Sequence, residues 1–148
     1  MPISAFAATP VGSATGQLNG AFLGTRYYTG YSVTQYHTDC YVNGYGYSTL
    51  AKTMIDTVAP AGYITDRTTL HFSTPGTDLS YLVADKVVTN TSPINAGNYL
   101  VNQVWAKMNA MQYRWRTDNA HTVKANTGET FTFYSLATLD FIPGWPLP

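Results

Sequence analysis

The chain has 148 residues and a mass of 16.2 kDa, with eight Lys and Arg balanced by eight Asp and Glu, enough length for one domain with a core of its own. Charged residues make up only 11% of it, against about 25% in ordinary soluble domains, which argues against duplex-binding or polybasic membrane surfaces that depend on surplus Lys and Arg. The polarity is supplied instead by 22 Thr, 9 Asn, 8 Ser and 4 Gln, and 12 of the 21 aromatic residues are Tyr.

The first 24 residues, MPISAFAATPVGSATGQLNGAFLG, hold no Lys or Arg, and Pro10, Gly12, Gly16 and Gly20 interrupt them. A secretory signal needs a basic start and an unbroken apolar stretch, so the segment reads as an extended arm and the chain as made in the cytoplasm without a signal peptide. The single cysteine, Cys40, cannot form an internal disulfide, which implies no oxidising compartment. No run approaches the roughly 18–20 apolar residues that span a bilayer. The division expected is an arm at 1–24, one compact β-rich domain at 25–142 and an extended tail at 143–148. At about 3.3 Å per residue, an arm of this length reaches roughly 80 Å, twice the width of a globule of this size. Its apolar residues, among them Phe6, Val11, Leu18, Phe22 and Leu23, call for cover on a neighbour.

The body opens with RYYTGYSVTQYHTDCYV, rich in Tyr, Thr and Val as strands are. Tyr31, Val33 and Gln35 alternate with Ser32, Thr34 and Tyr36, and neither face is strongly apolar. Asn43-Gly44 signals a hairpin turn, ending one strand near Val42 and starting the next at Tyr45. STLAKTMIDTVA (48–59) has Ser48 as a cap and Leu50, Met54, Ile55 and Val58 on one helical face; Pro60 and Gly62 stop it. YITDRTTLHF (63–72) reads as a strand, and Thr74-Pro75-Gly76 as a turn. DLSYLVADKVVT (78–89) suits a helix in its first two turns, although LVADKVV also suits a strand. In 98–115, Leu100, Val104, Met108, Met111 and Trp115 recur at helical spacing, with two strands broken near Asn109 as the alternative. HTVKA, a turn at Asn126-Thr127-Gly128 and ETFTFYSL form a hairpin. The end, FIPGWPLP, carries too many prolines for a regular element. The fold class expected is α+β: a β-rich body of antiparallel hairpins with one longer helix and one or two short helices, plus the arm and the Pro-rich tail.

No catalytic set emerges. His37-Thr38-Asp39-Cys40 gathers three reactive types, yet no second His or Cys group follows at zinc spacing. Asp118-Asn119-Ala120-His121 reads as a polar turn. Glu129 is the one glutamate, and phosphate-binding or nucleophile-elbow motifs are absent. No enzyme activity, metal or cofactor is expected. Arg114-Trp115-Arg116 reads as a structural helix end with Trp packed inward. Seven tyrosines between Tyr27 and Tyr47 exceed what one small core buries. Tyr is favoured at interfaces, where its large rigid ring carries a hydrogen-bonding tip. Phe6, Val11, Leu18, Phe22, Leu23, Tyr27, Tyr28, Tyr31, Tyr45, Tyr47 and Trp145 are therefore the candidate subunit-interface residues.

With its unprocessed arm MPISAFAATPVGSATGQLNGAFLG, its Thr- and Tyr-rich β body and its extended end FIPGWPLP, the chain resembles in general style the virion structural proteins of tailed bacteriophages. That resemblance implies a virion subunit held by non-covalent contacts with other virion proteins, including copies of itself. A capsid cement or decoration role suits it first, with the arm lying in grooves between coat subunits; removing residues 1–24 would then abolish incorporation and leave the body folded. The alternative is a carbohydrate- or receptor-binding β module, such as a tail fibre or adaptor component, with a glycan as ligand. Neither nucleic acid nor membrane is expected as a partner.

Overall fold

The computed structural model describes residues 10–37, 41–73, 80–107 and 114–140. It holds eleven strands: β1 (Pro10–Thr15), β2 (Asn19–Leu23), β3 (Arg26–His37), β4 (Tyr41–Leu50), β5 (Val58–Ala59), β6 (Ile64–Ser73), β7 (Tyr81–Thr89), β8 (Ile94–Asn95), β9 (Leu100–Lys107), β10 (Arg114–Lys124) and β11 (Thr130–Leu139). The first sheet runs β3-β4-β9, with β1 and β2 both paired to the outer edge of β3; the second runs β11-β10-β6-β7. All their pairings are antiparallel. The two sheets face each other, and β5 and β8 form a small separate ladder.

The described chain is all-β, which corrects the α+β expectation: no helix occurs among the described residues. Each expected helix fails for its own reason. Residues 48–50 finish β4, and Ile55, placed on the apolar face of a helix, is 90% exposed in the turn that follows. From Tyr81 the second candidate is strand β7, while its first residues, 78 and 79, lie outside the described residues. The long stripe is β9 and β10, the two-strand alternative. Leu100 and Val104 both point inward because a spacing of four suits a strand's period of two as well as a helix turn. Gly44 is no hairpin turn but mid-strand in β4, where a Cβ would stand 2.6 Å from Thr117 Oγ1. By contrast β6 falls where the sequence puts it, and so does the β10-β11 hairpin from His121 onward, with Gly128 at a positive φ of 89° in the turn. Of the segment read as an arm, residues 10–15 and 19–23 are strands of this sheet, and Phe6 and Trp145 lie outside the described residues.

Inward-facing residues repeat one order on six strands: apolar, polar, apolar. On β3 it is Tyr28, Ser32 with Thr34, Tyr36; on β4 it is Leu50, Ser48, Val42. The same holds for Ile64, Asp66 with Thr68, Leu70 on β6, and for Leu100, Asn102, Val104 on β9. On β10 it is Val123, His121 with Asn119 and Thr117, Trp115; on β11 it is Phe133, Ser135, then Ala137 with Leu139. One apolar cluster therefore gathers round Tyr28, Leu50, Ile64 and Phe133, and another round Tyr36, Leu70 and Trp115. A polar layer lies between them.

Burying polar groups costs free energy unless each finds a partner, and one arrangement of hydrogens links the layer, leaving Asp66 Oδ2 and Asn102 Oδ1 without a hydrogen-bond partner among the described residues. Asn119 Nδ2 donates to Ser32 Oγ at 2.6 Å and to the Tyr45 carbonyl at 3.0 Å, and accepts from Thr68 at its Oδ1. Ser32 and Ser135 hydroxyls meet at 2.7 Å, and Ser135 Oγ lies 2.7 Å from His121 Nε2. With its hydrogen on Nδ1, His121 donates to Asp66 Oδ1 at 3.0 Å, which also accepts from Ser48 Oγ at 2.5 Å. Glycine makes room for this layer. A Cβ on Gly46 would lie 2.1 Å from Asn119 Oδ1, and one on Gly30 would lie 2.6 Å from the His121 ring.

Candidate functional site

Because successive side chains of a strand alternate between faces, the Tyr-rich sequence of β3 and β4 splits cleanly. Tyr28 and Tyr36 go inward and are fully buried, each donating its hydroxyl to a backbone carbonyl of the second sheet's side, Lys124 and Leu139 respectively. Leu23 is also a core residue. Tyr27, Tyr31, Tyr45 and Tyr47 go outward. Tyr31 stands directly opposite Tyr47, and Tyr45 opposite Gln103 of β9. The outer face of the first sheet thus gathers four of the candidate tyrosines, with Phe22, 71% exposed, packed on Tyr27 at 4.3 Å between ring centres.

Residues the sequence reading did not single out complete this face. Tyr99 meets Tyr31 and Tyr47 edge-on at 6.4 and 5.9 Å, and Trp105 lies beside His37 at 5.3 Å and Tyr41 at 6.2 Å. Alternation in β9 carries the signal for Trp105, hidden by the helical reading of that segment. Tyr47 stacks on Tyr31 at 4.8 Å and on Tyr45 at 5.7 Å, with ring planes 13° and 26° apart. Burial pushes all three phenols above the ordinary tyrosine range, and the Tyr47 phenol adds to the rise at Tyr31 and Tyr45. All three are neutral at any physiological pH. Lys107, over the Tyr41 ring at 5.7 Å, is the one charged side chain on this face among the described residues.

The outer face of the second sheet has the opposite character. Arg67 makes a two-pronged pair with Asp85 at 3.0 and 2.6 Å, Arg116 pairs with Asp118 at 2.9 Å, and Arg114 pairs with Asp140 at 2.5 Å. His71 stands 3.5 Å from Asp118, and burial holds its pKa below the ordinary histidine range against that carboxylate's pull. Arg114 and Arg116 thus belong to this face, while Trp115 between them is fully buried on a strand, where the sequence reading had a helix end. Asp118 to His121 likewise lie mid-strand in β10, where a polar turn was expected.

Of the remaining candidates, Leu18 is exposed between β1 and β2 and Val11 lies within β1. Asp39 and Cys40 are outside the described residues, and among those described no three His, Cys, Asp or Glu side chains come close enough to hold a metal ion. Asp66, His121 and Ser135 do follow one another at 3.0 and 2.7 Å, as a base and nucleophile would. Ser135 is 5% exposed and its hydroxyl is held by both Ser32 and His121, so this chain is sealed between the sheets. Compared with known proteins, the chain matches no family model and no curated protein.

Proposed function

We propose that this chain is a non-catalytic structural subunit of a virion, of the cement or decoration kind, and that the aromatic face of its first sheet is covered by a second copy of the chain. The observation that carries the reading is the contrast between the two outer faces. One bears three Arg–Asp pairs; the other bears stacked aromatic rings, Gln, Asn and Thr, with Lys107 as its charge among the described residues. Interface cores are depleted in charge and enriched in Tyr and Trp in this way. A neutral face complements a copy of itself without desolvating an unpaired charge, and a chain of zero net charge adds no long-range repulsion between copies. The virion setting is supported by the resemblance of the chain's ends and composition to phage structural proteins.

The ring geometry favours a protein partner over a sugar here. Stacking on a sugar needs a free ring face, and Tyr31, Tyr45 and Tyr47 turn their faces to one another. What they offer outward is ring edges and hydroxyls, which suit close packing against another protein surface.

Light scattering across a concentration series tests this directly. The expected result is a mass rising from 16.2 kDa to a defined multiple. Val101 is 44% exposed and opposite Tyr47, so Val101→Lys puts like charges together at the contact while leaving the fold intact. That variant is expected to stay monomeric with an unchanged unfolding midpoint. A wild-type chain that stays monomeric throughout, or a variant that associates as well as wild type, overturns the contact between copies.

A further inference from the structure

A cleft of about 830 Å³ opens on the outer face of the second sheet, where the turn between β1 and β2 folds over the edge of β11. It is a different region from the aromatic face. Its floor is Ala120 of β10, whose cross-strand neighbour is Tyr134 of β11. Asn19 holds the rim by donating to the Tyr134 carbonyl at 2.7 Å, which leaves its own carbonyl oxygen free, and the Gln17 amide beside it has no hydrogen-bond partner among the described residues. Arg116 and Asp118 form the opposite wall.

We propose that this cleft binds a neutral saccharide of two to four units. Volume comes first: small-ligand sites fall between about 300 and 1,000 Å³. Next is charge. Arg116 stands beside Asp118 and Arg67, also at the cleft, is paired with Asp85, so the charges at the cleft are balanced and a neutral ligand meets no surplus of either sign. The pairs present fixed donors and acceptors, which with the Asn19 and Gln17 amides match the hydroxyls of a sugar. The deciding feature is Tyr134. It is 67% exposed and makes no ring contact among the described residues, so its ring face is available to the apolar face of a pyranose. The tyrosines of the first sheet spend theirs on one another.

The test is a titration of the full chain with neutral trisaccharides of glucose, mannose, galactose and N-acetylglucosamine, read by saturation-transfer NMR and calorimetry, with sialylated and sulfated trisaccharides as the charged comparison. At least one neutral sugar is expected to bind, and Tyr134→Ala to weaken it about tenfold. Ala120→Phe, which fills the floor, is expected to weaken it similarly, and Val101→Lys on the far sheet to leave it unchanged. Tyr134 is exposed, so its removal spares the core; matching circular dichroism spectra check this. The proposal is overturned if no neutral trisaccharide binds at about 10 mM, if the charged sugars bind more tightly, or if binding survives both cleft variants. None of these outcomes bears on association through the first sheet, which Val101→Lys reads separately.

Discussion

Asp66→Ala is expected to destabilise the chain by about 2–5 kcal/mol, because it removes the shared acceptor of two buried hydrogen bonds. Asp66 and His121 are both fully buried, and Asp66 Oδ1 is the acceptor for the His121 ring and for the Ser48 hydroxyl. Alanine removes that acceptor and leaves the Ser48 hydroxyl and His121 Nδ1, 2.7 Å apart, with only each other, while the Ser135 and Ser32 links beyond His121 lose their anchor. Urea denaturation reads the loss as a shift in midpoint. Double-mutant cycles add a sharper check: Asp66→Ala and His121→Ala share a network, so their effects should fall well short of adding. Full additivity would mean that the layer is a set of separate contacts.

Trp115→Ala is expected to cost a similar amount, about 3–5 kcal/mol, by a different route. Trp115 is the largest fully buried side chain among the described residues, set among Tyr36, Val42, Leu70 and Val104 with Phe72 tilted against it at 5.5 Å. Its removal leaves a cavity between two sheets whose hydrogen-bonded ladders hold them apart. Trp115→Phe is expected to cost far less, because it keeps most of the apolar volume and removes an indole N–H that has no hydrogen-bond partner among the described residues. Thermal or urea unfolding of the pair separates cavity from chemistry. Equal losses in the two variants would rule out the cavity account.

Both residues bear on what the sequence could and could not tell. Strand-favouring residues and turn signals placed β6 and the later half of the β10-β11 hairpin, and alternation separated the two faces of β3 without saying which is inward. Neither exposed the interior. Asp66, Asn119 and His121 look like surface residues in a linear reading, and nothing local says that they find partners on strands far away in the chain. The helices were misread for the converse reason, since inward apolar residues four apart in β9 satisfy both periods and the layered core removes the intervening one: Asn102 sits inward between Leu100 and Val104. Glycine misled too. Gly44 and Gly46 lie where the sheets approach side chain to backbone, yet next to Asn43 they spell a turn.

The aromatic face was partly legible. Tyr density predicted more rings than a core could take, and alternation sorts Tyr27, Tyr31, Tyr45 and Tyr47 outward from Tyr28 and Tyr36. The arm reading fares differently. Leu23 lies in the core, Ala21 packs against it, and Gly16 N–H donates to the Ser32 carbonyl at 2.8 Å. Removing residues 1–24 would therefore strip the edge of β3 and open the core, so loss of incorporation in such a truncation would not isolate an arm.

The layered interior also bears on how stability varies with temperature. The heat capacity gained on unfolding rises with apolar surface exposed and falls with polar surface exposed. A core whose middle third is Ser, Thr, Asn, His and Asp releases polar groups where most domains release hydrocarbon. The increment per residue should thus fall below the usual ~12–15 cal/mol/K, flattening the stability curve. Such a chain keeps its fold over a wide span of temperatures on a modest maximum, and cooling weakens it less than it weakens an oil-filled sandwich of the same size.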